Sequence, residues 1–332
     1  MSKQEVMQAV WPARGGGPDV LVVGERPIPR PGPGQALIRT AYAGVNRHDV
    51  NQRARGSGPK GSTDILGLEV SGVIAEIGDG VTGLTVGDEV CALVDGGGYA
   101  QWTIADAALV LPRPRDLELR EAAALPEALF TCWFNVVELG GLQRDAWLLV
   151  HGGTSGVGSI TLQVARALGA KTIATAGSSA KCDAARAFGA DVVINYREQD
   201  FVAEVAAATG DRGVDVILDM VGGAYAERNL AALAMDGRIL HLASGTHPDW
   251  SAPLRMIMEK RAVVTGSLLR PLALERKAEI ASVLRARIWP LLGSEIRPRI
   301  DAVMPLQNAR VAHARMEAGD HIGKILLDCR SE

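Results

Sequence analysis

The stretch "HGGTSGVGS" (151–159) decides how this chain should fold, because it joins an apolar run to a helix-like run. The run before it is "AWLLV" (146–150), and the run after it is "ITLQVARALGA" (160–170). Three interpretations fit such a stretch: a phosphate-binding loop, the oxyanion motif of a hydrolase, or a glycine-rich turn without a ligand.

The sequence around this stretch predicts a parallel sheet. From Asp145 onward, apolar runs alternate with alanine-rich, helix-like segments, which is typical of a doubly wound sheet covered on both faces. Glycines close two successive helical segments, in "ARALGA" (165–170) and "ARAFGA" (185–190), and we expect both in left-handed caps. The predicted strands are 146–150, 171–176, 191–195, 214–219, 237–242 and 261–266.

The remaining residues predict a different architecture. Residues 20–127 are rich in proline, glycine and short apolar runs, which favours a mostly antiparallel β domain. After residue 268, two helical stretches (275–292 and 306–317) precede a last strand (323–328). Whether this tail returns to the first domain is not decided by its pattern.

The hydrolase interpretation requires motifs that the chain lacks. A lipase-like fold needs GxSxG, and the stretch from Gly153 fails at its last position, Val157. Ser178 and Lys181 match SxxK, but the partner motifs of that signature are missing. Both hydrolase interpretations are therefore disfavoured.

The context favours dinucleotide binding over a bare glycine turn. At the first strand-to-helix junction of a parallel sheet, helix amide groups point outward and attract a pyrophosphate. We therefore expect backbone contacts from Ser155, Gly156 and Val157, with Gly153 and Gly158 permitting close approach.

The end of the second predicted strand indicates which dinucleotide is preferred. Proteins that prefer NAD carry an acidic residue there, but this chain reads "ATAGSSAK" (174–181) without a carboxylate. Ser178 and Lys181 instead offer a hydroxyl and a cation for a 2′-phosphate, with Gly177 providing room. Tyr196, after the third strand, would add a hydroxyl or stack on the adenine. NADPH is the predicted cofactor, although a surface lysine and a core-edge tyrosine are the plain alternatives.

Composition and charge exclude several other classes. The formal net charge is −3, and no block of like charge predicts binding to nucleic acid or to an anionic membrane. No signal-peptide pattern and no run of about 18 apolar residues occurs. The four cysteines are scattered and form no CxxC pair. We expect a cytoplasmic protein with reduced thiols and no membrane partner.

Ordered blocks along nearly the whole chain carry a family resemblance. They include "ILGLEVSGVIAEIG", "GGGYAQW", "EAAALPEALFT", "HGGTSGVGS", "VDVILDMVGG" and "HIGKILL". In this order they resemble the zinc-free, zeta-crystallin-like quinone oxidoreductase branch of the medium-chain dehydrogenase/reductase superfamily. The blocks "LPEA" and "TGSLLR" are most similar to a subgroup that includes a tumour-suppressor-inducible quinone oxidoreductase.

This resemblance implies a fold, a domain division and a metal-free chemistry. The implied fold is a Rossmann domain with a doubly wound parallel sheet (128–267) and a GroES-like, mainly β catalytic domain (1–127 and 268–332). Zinc-dependent members place a cysteine where Asn46 stands and a histidine where Leu68 stands. Neither residue present suits zinc, so we expect none. Without a Lewis acid, reduction of an electron-poor acceptor such as a quinone is the expected reaction.

Site residues follow from the resemblance and from the sheet. Thr131 is implied beside the nicotinamide, while Asn46 and Asp49 are candidates for polarising the acceptor and supplying a proton; a loop-stabilising pair is the alternative. Lys324 is implied to reach the cofactor, or else to be an exposed lysine. Residues after the later strands should line the cofactor cleft, at the carboxyl ends where parallel sheets bind ligands: Val221, Gly222, Leu242, Ser244, Ser267, Leu268 and Leu269.

Alternative functions remain open on the sequence alone. The same apparatus would reduce a 2-alkenal or an enoyl thioester, and Arg47, Arg53, Arg55 and Lys60 would then have to provide a basic groove for a CoA phosphate. A nucleotide- or RNA-binding crystallin-like protein is the non-enzymatic alternative. The resemblance also implies a homodimer or homotetramer, with the strand near "VVTGSLL" pairing across a two-fold axis.

Overall fold

The computed structural model describes residues 5–243 and 249–330. It contains two compact units. The first unit comprises the described residues up to Glu127, Leu274–Ser294 and the described residues from Pro298 onward, and the second comprises Ala128–Ala273 and Glu295–Arg297. The second expected boundary, at 267/268, lies six residues before this division at 273/274, since the buried Leu269 still belongs to the second unit.

The strands and the helices are each numbered in chain order. The strands are β1 (Val6–Pro12), β2 (Leu21–Pro27), β3 (Gln35–Val45), β4 (Glu69–Ile77), β5 (Glu89–Leu93), β6 (Trp102–Asp106), β7 (Val110–Pro112), β8 (Trp147–His151), β9 (Lys171–Ala176), β10 (Val192–Asn195), β11 (Val214–Asp219), β12 (Leu233–His241), β13 (Val263–Gly266), β14 (Ile300–Pro305) and β15 (Lys324–Asp328). The helices are α1 (Arg47–Arg55), α2 (Leu119–Ala122), α3 (Pro126–Cys132), α4 (Gly156–Ala167), α5 (Ser179–Ala187), α6 (Phe201–Thr209), α7 (Ala226–Ala232), α8 (Leu254–Lys260), α9 (Leu274–Arg287) and α10 (Ala309–Ala318).

The first unit is built on a seven-stranded sheet. Its strand order is β14-β15-β3-β4-β5-β7, and β6 also pairs with β3. All pairings are antiparallel except that of β14 with β15. The last strand, β15, pairs with β3, so the tail after residue 268 does return to the first domain. β1 and β2 form a separate antiparallel pair.

The second unit contains six parallel strands in the order β10-β9-β8-β11-β12-β13. This order reverses between β8 and β11, which is the Rossmann arrangement with its ligand crevice at the carboxyl ends of the strands. Leu148, Leu149 and Val150 of β8 are completely buried, as expected for a strand covered on both faces. The predicted fold, a doubly wound Rossmann sheet with a GroES-like mainly β unit, is confirmed.

Left-handed glycines follow two helices of this unit, α4 and α5. Gly169 follows α4 with φ +83°, and Gly189 follows α5 with φ +91°. A residue with a Cβ is strained at such angles, so glycine lets the chain leave each helix and enter the next strand. The caps predicted from the two repeated sequences are confirmed.

Candidate active site

The loop after β8 has the form of a phosphate-binding turn. Ser155 is the N-cap of α4, and its Oγ accepts a hydrogen bond from the backbone N–H of Gly158 at 2.9 Å. A Cβ on Gly158 would lie 2.4 Å from the carbonyl oxygen of Gly152, and one on Gly153 would lie 2.7 Å from the Cβ of Ala174. The two glycines are thus required by contacts inside the protein. They hold the first turn of α4 against the sheet, with Gly156 and Val157 at the start of the helix.

The residues predicted for the adenosine end come together at the carboxyl ends of β9 and β10. A Cβ on Gly177 would lie 2.5 Å from the hydroxyl oxygen of Tyr196, so the tyrosine hydroxyl packs directly on this glycine. Ser178 is the N-cap of α5 and accepts a hydrogen bond from the backbone N–H of Lys181 at 3.4 Å. Tyr196 is 42% exposed, which leaves its ring accessible for stacking.

A cavity of about 410 Å³ lies at the carboxyl ends of β11, β12 and β13. Asp219 shapes one wall, since its Oδ1 accepts hydrogen bonds from the backbone N–H groups of Val221 and Gly222 at 2.6 and 3.2 Å. The residues lining the cavity include the predicted Gly222, Leu242, Ser267 and Leu268, together with Gly223, His241, Ala243, Trp250 and Gly266.

Ser267, Leu269, Thr131 and Ser244 were also predicted to contact the cofactor. Ser267 Oγ donates a hydrogen bond to Oδ1 of Asn135 at 2.8 Å, while Leu269 is buried. Thr131 lies in α3 and is 8% exposed, and within residues 5–243 and 249–330 no hydrogen bond involves its hydroxyl. The predicted Ser244 lies outside the described residues.

A buried hydrogen-bond chain, which the sequence did not reveal, leads to the same cavity. His151 Nε2 pairs with Asn229 Oδ1 at 2.8 Å, Asn229 Nδ2 donates to Asp219 Oδ2 at 3.0 Å, and His241 Nδ1 lies 3.2 Å from that oxygen. Burial lowers the pKa of His151, so this histidine stays neutral. His241 Nε2 and Trp250 Nε1 are buried and have no hydrogen-bond partner among the described residues.

The first unit contains a polar cluster, formed by Asn46, Glu69 and Lys324. The ammonium group of Lys324 donates to Asn46 Oδ1 at 2.7 Å and forms an ion pair with Oε1 of Glu69. The same carboxylate accepts a hydrogen bond from Asn46 Nδ2 at 2.9 Å. Glu69 is completely buried and Lys324 is 3% exposed, so the alternative of an exposed lysine is wrong.

Asp49 accepts hydrogen bonds that hold the backbone beside this cluster in place. Its Oδ2 accepts hydrogen bonds from the backbone N–H of Asn46 at 2.8 Å and from the Tyr99 hydroxyl at 3.2 Å, and its Oδ1 accepts one from Gly67 N–H at 3.1 Å. Burial raises the pKa of Asp49 to about 6, although these hydrogen bonds favour its charged form. At 1% exposure, Asp49 fits the loop-holding alternative better than a role as proton supplier.

Glu127 adds a third carboxyl group to this region. Its backbone N–H donates to Oε2 of Glu69 at 3.0 Å, which fixes the start of α3 beside the cluster. Burial, followed by repulsion from Glu69, raises the pKa of Glu127 to about 8. Sequence analysis assigned no role to Glu69 or Glu127, because neither the spacing nor the neighbours of these residues indicate a site.

Comparisons with known proteins agree with this architecture. The family described as "Alcohol dehydrogenase GroES-like domain" matches residues 32–115, and the one described as "Zinc-binding dehydrogenase" matches residues 156–285. A quinone oxidoreductase of Rattus norvegicus is 30% identical over 98% of each chain. A 2-haloacrylate reductase of a Burkholderia species is 31% identical over 97% of this chain and 98% of its own. The structure of Escherichia coli quinone oxidoreductase complexed with NADPH has a TM-score of 0.85 and 28% identity, covering 97% of this chain and 99% of that one.

A Rossmann unit and a GroES-like unit in one chain define a two-domain oxidoreductase class. The chain belongs to the medium-chain dehydrogenase/reductase superfamily, in its quinone oxidoreductase branch. The resemblance to this branch is confirmed, while the zinc-free character and the subgroup stay predictions.

The name of the second family match implies zinc, but the residues at the polar cluster do not fit that ion. The side chains available are an amide, a carboxylate and an ammonium, and the ammonium already binds the two oxygens that would face a cation. Within residues 5–243 and 249–330, no three His, Cys, Asp or Glu side chains are grouped for metal binding. Every helix in the described part of the chain is too short or too polar to span a membrane.

The buried ion pair generates a stability prediction. Lys324→Met should lower the free energy of unfolding by about 3–5 kcal/mol, because it leaves the Glu69 charge unpaired in the interior. Lys324→Met combined with Glu69→Gln should recover more than half of that loss. Urea unfolding measures both, with Lys60→Met on the exposed surface as the matched control. An equal loss in the single and double variants would contradict the charge argument.

Proposed function

We propose that this chain catalyses zinc-independent, NADPH-dependent reduction of quinones. The observation that carries the proposal is the Lys324 ammonium bound to Asn46 and Glu69, which fixes the orientation of the Asn46 amide in a buried site. The NADPH complex of the Escherichia coli relative and the quinone oxidoreductase of Rattus norvegicus support the choice of cofactor and acceptor.

Asn46 is the group we assign to polarise the acceptor. Lysine only donates hydrogen bonds, so Oδ1 of the amide faces Lys324 and Nδ2 faces Glu69. The second Nδ2 hydrogen has only a long contact with the Gly44 carbonyl, at 3.5 Å, and this leaves it available for an acceptor oxygen. Hydrogen bonding at Oδ1 by an ammonium polarises the amide and strengthens Nδ2 as a donor.

The second unit supplies the residues that we assign to cofactor binding. Backbone N–H groups of Ser155, Gly156, Val157 and Gly158 would hold the pyrophosphate at the positive end of α4. Thr131 would bond the carboxamide through its hydroxyl. When bound, the dihydronicotinamide supplies the hydride.

A second candidate function is the reduction of an activated alkene. The 2-haloacrylate reductase relative favours it, and an Asn46 amide would polarise an enal carbonyl as it would a quinone. Reduction of an enoyl thioester is less well supported. A basic groove for CoA would need Arg47, Arg53, Arg55 and Lys60, and two of these side chains have other partners. Arg53 is buried in an ion pair with Glu317, and Arg47 donates to the Met316 carbonyl at 2.8 Å.

The acceptor class is tested by following NADPH consumption with a benzoquinone, a naphthoquinone, a 2-alkenal and crotonyl-CoA. We expect the highest kcat/KM with the quinones, a lower value with the alkenal and the lowest with crotonyl-CoA. A higher kcat/KM with the alkenal would mean that the chain is an alkene reductase and not a quinone reductase. No turnover with any acceptor, while NADPH still binds, would favour a nucleotide-binding protein without this activity.

The cofactor preference is tested at Lys181. Lys181→Ala should raise the KM for NADPH by about 10- to 100-fold, because the 2′-phosphate loses a charge-assisted contact. The KM for NADH should stay unchanged. Lys171→Ala, at the opposite end of β9, is the matched control. An unchanged NADPH KM in Lys181→Ala would refute the assignment.

We also propose a cytoplasmic homodimer that pairs along β13. This strand ends the six-stranded sheet, and Val263 is 38% exposed. Leu254 and Met258 of α8, the helix that precedes β13 in the chain, are exposed as well. An apolar open sheet edge favours pairing with a second copy. Solution scattering should give about twice the 35.0 kDa chain mass. Val263→Lys should reduce the mass to that of the monomer, whereas Val86→Lys, at an exposed valine of the first unit, should not.

A further inference from the structure

The cavity at the carboxyl ends of β11, β12 and β13 lies within the second unit, because all the residues that line it belong there. Its volume of about 410 Å³ is in the range of small-molecule sites in proteins, about 300–1,000 Å³. Glycine, alanine and leucine make up most of the lining. The two rings in the wall are those of His241 and Trp250, with centroids 6.3 Å apart and an interplanar angle of 74°.

A carboxylate fixes the imidazole of His241 in this wall. Nδ1 of His241 lies 3.2 Å from Oδ2 of Asp219, which is completely buried. Burial raises the pKa of Asp219, but hydrogen bonds, led by the one from His241, outweigh this effect and keep the pKa below its usual value. An ionised carboxylate only accepts hydrogen bonds, so Nδ1 of His241 carries a hydrogen.

A chain of hydrogen bonds holds Asp219 from its other side. Asn229 Nδ2 donates to Oδ2 of Asp219 at 3.0 Å, so Oδ1 of this amide accepts from Nε2–H of His151 at 2.8 Å. His151 Nδ1 then accepts from the hydroxyl of Thr175 at 3.1 Å, and that hydroxyl accepts from the N–H of Gly152 at 3.3 Å. Rotation of the carboxylate would break this chain, so Asp219 keeps a fixed position beside the cavity.

Two ring nitrogens of the wall have complementary hydrogen-bonding character. With its hydrogen on Nδ1, a neutral His241 presents a lone pair on Nε2 and is an acceptor there, whereas Trp250 Nε1–H can only donate. Both atoms are buried, and among residues 5–243 and 249–330 neither has a hydrogen-bond partner. The imidazole as a whole is 19% exposed, so a molecule in the cavity can reach the ring.

These two atoms indicate the kind of group that the cavity binds. A buried polar atom without a partner is costly, so a pair of them in a cavity wall points to a polar group bound there. A hydroxyl group donates to an acceptor and accepts from a donor. A carbonyl oxygen or an ammonium group could satisfy only one of the two nitrogens.

The order of the strands indicates which hydroxyl group is bound. In the proposed function the pyrophosphate binds at α4, beside β8, and the adenosine end binds at β9 and β10. The order β10-β9-β8-β11-β12-β13 then brings the other nucleoside to the carboxyl ends of β11, β12 and β13, where the cavity lies. That nucleoside carries the nicotinamide on a ribose with two free hydroxyl groups.

We propose that Nε2 of His241 accepts a hydrogen bond from a ribose hydroxyl on the nicotinamide side of NADPH. The inference rests on the proposed function and deepens it, since it assigns a polar contact to that half of the cofactor. Trp250 Nε1 donates to the same ribose. Asp219 acts through His241 as a positioning residue, because it keeps the hydrogen on Nδ1 and the lone pair on Nε2.

The test measures the binding of NADPH to wild type and to His241→Asn by titration calorimetry. Asparagine can still donate to Asp219 from a position near that of Nδ1, but it has no counterpart of Nε2. The dissociation constant of NADPH should rise by about 5- to 10-fold, as expected for one lost hydrogen bond. His48→Asn, the same change at a half-buried position of the first unit, is the control and should leave the constant unchanged.

Adenosine 2′,5′-bisphosphate distinguishes a lost contact from a damaged unit, because it contains the adenosine end of NADPH and lacks the nicotinamide nucleoside. Its dissociation constant should be the same in wild type and in His241→Asn. An equal weakening of both ligands would show that the substitution disturbs the whole second unit, and it would overturn the assignment.

A second measurement uses wild type alone, so it does not depend on the folding of a variant. Nitrogen NMR of protein labelled with ¹⁵N-histidine should show His241 with its hydrogen on Nδ1 and none on Nε2. NADPH should shift the Nε2 resonance, because that atom then accepts a hydrogen bond, and adenosine 2′,5′-bisphosphate should not. A hydrogen on Nε2 in the free protein, or an Nε2 resonance that NADPH leaves in place, would refute the contact.

The outcomes separate this inference from the proposed function. A wild type that binds neither NADPH nor NADH would overturn the proposed function, and the His241 contact with it. Unchanged NADPH binding in His241→Asn, with quinone reduction retained in wild type, would overturn the contact alone. NADPH binding that weakens as expected in His241→Asn, without turnover of any acceptor by wild type, would support the contact and overturn the proposed function.

Discussion

The ion pair between Lys324 and Glu69 is the constraint on which the first unit depends. It is buried, so neither charge is solvated by water and each stabilises the other only if the geometry is kept. The pair joins β15 to β4, and the amide of Asn46 completes a three-membered set with both groups. The orientation of Asn46, and thus its fitness as a hydrogen-bond donor, follows from this arrangement.

The parts of the fold that sequence reasoning predicted are those with local physical causes. The six parallel strands follow from continuous apolar runs, and the glycines after α4 and α5 follow from the sterics of left-handed backbone. The N-cap at Ser155 is equally local, because its partner Gly158 lies three residues away. The strand β14 was not predicted, because its apolar run, 302–304, is only three residues long and partly exposed.

The candidate site was less predictable because its partners are distant in sequence. Asn46 and Lys324 are 278 residues apart, and no local pattern indicates that one would bind the other. The predicted cofactor role of Lys324 remains a prediction, but the structure gives its ammonium partners within its own unit. The burial of a side chain cannot be read from the sequence either. It is burial that distinguishes Asp49 and Glu127 from surface carboxylates.

The first unit is formed by segments that precede and follow most of the second unit, and this order bears on how the protein folds during synthesis. When a ribosome has completed the second unit, Glu69 has been synthesised but its ammonium partner has not. A nascent chain at that stage would have to bury an uncompensated carboxylate, so closure of the first sheet waits for β15. The second unit can thus mature early, whereas the first sheet is completed only after β15 has been made.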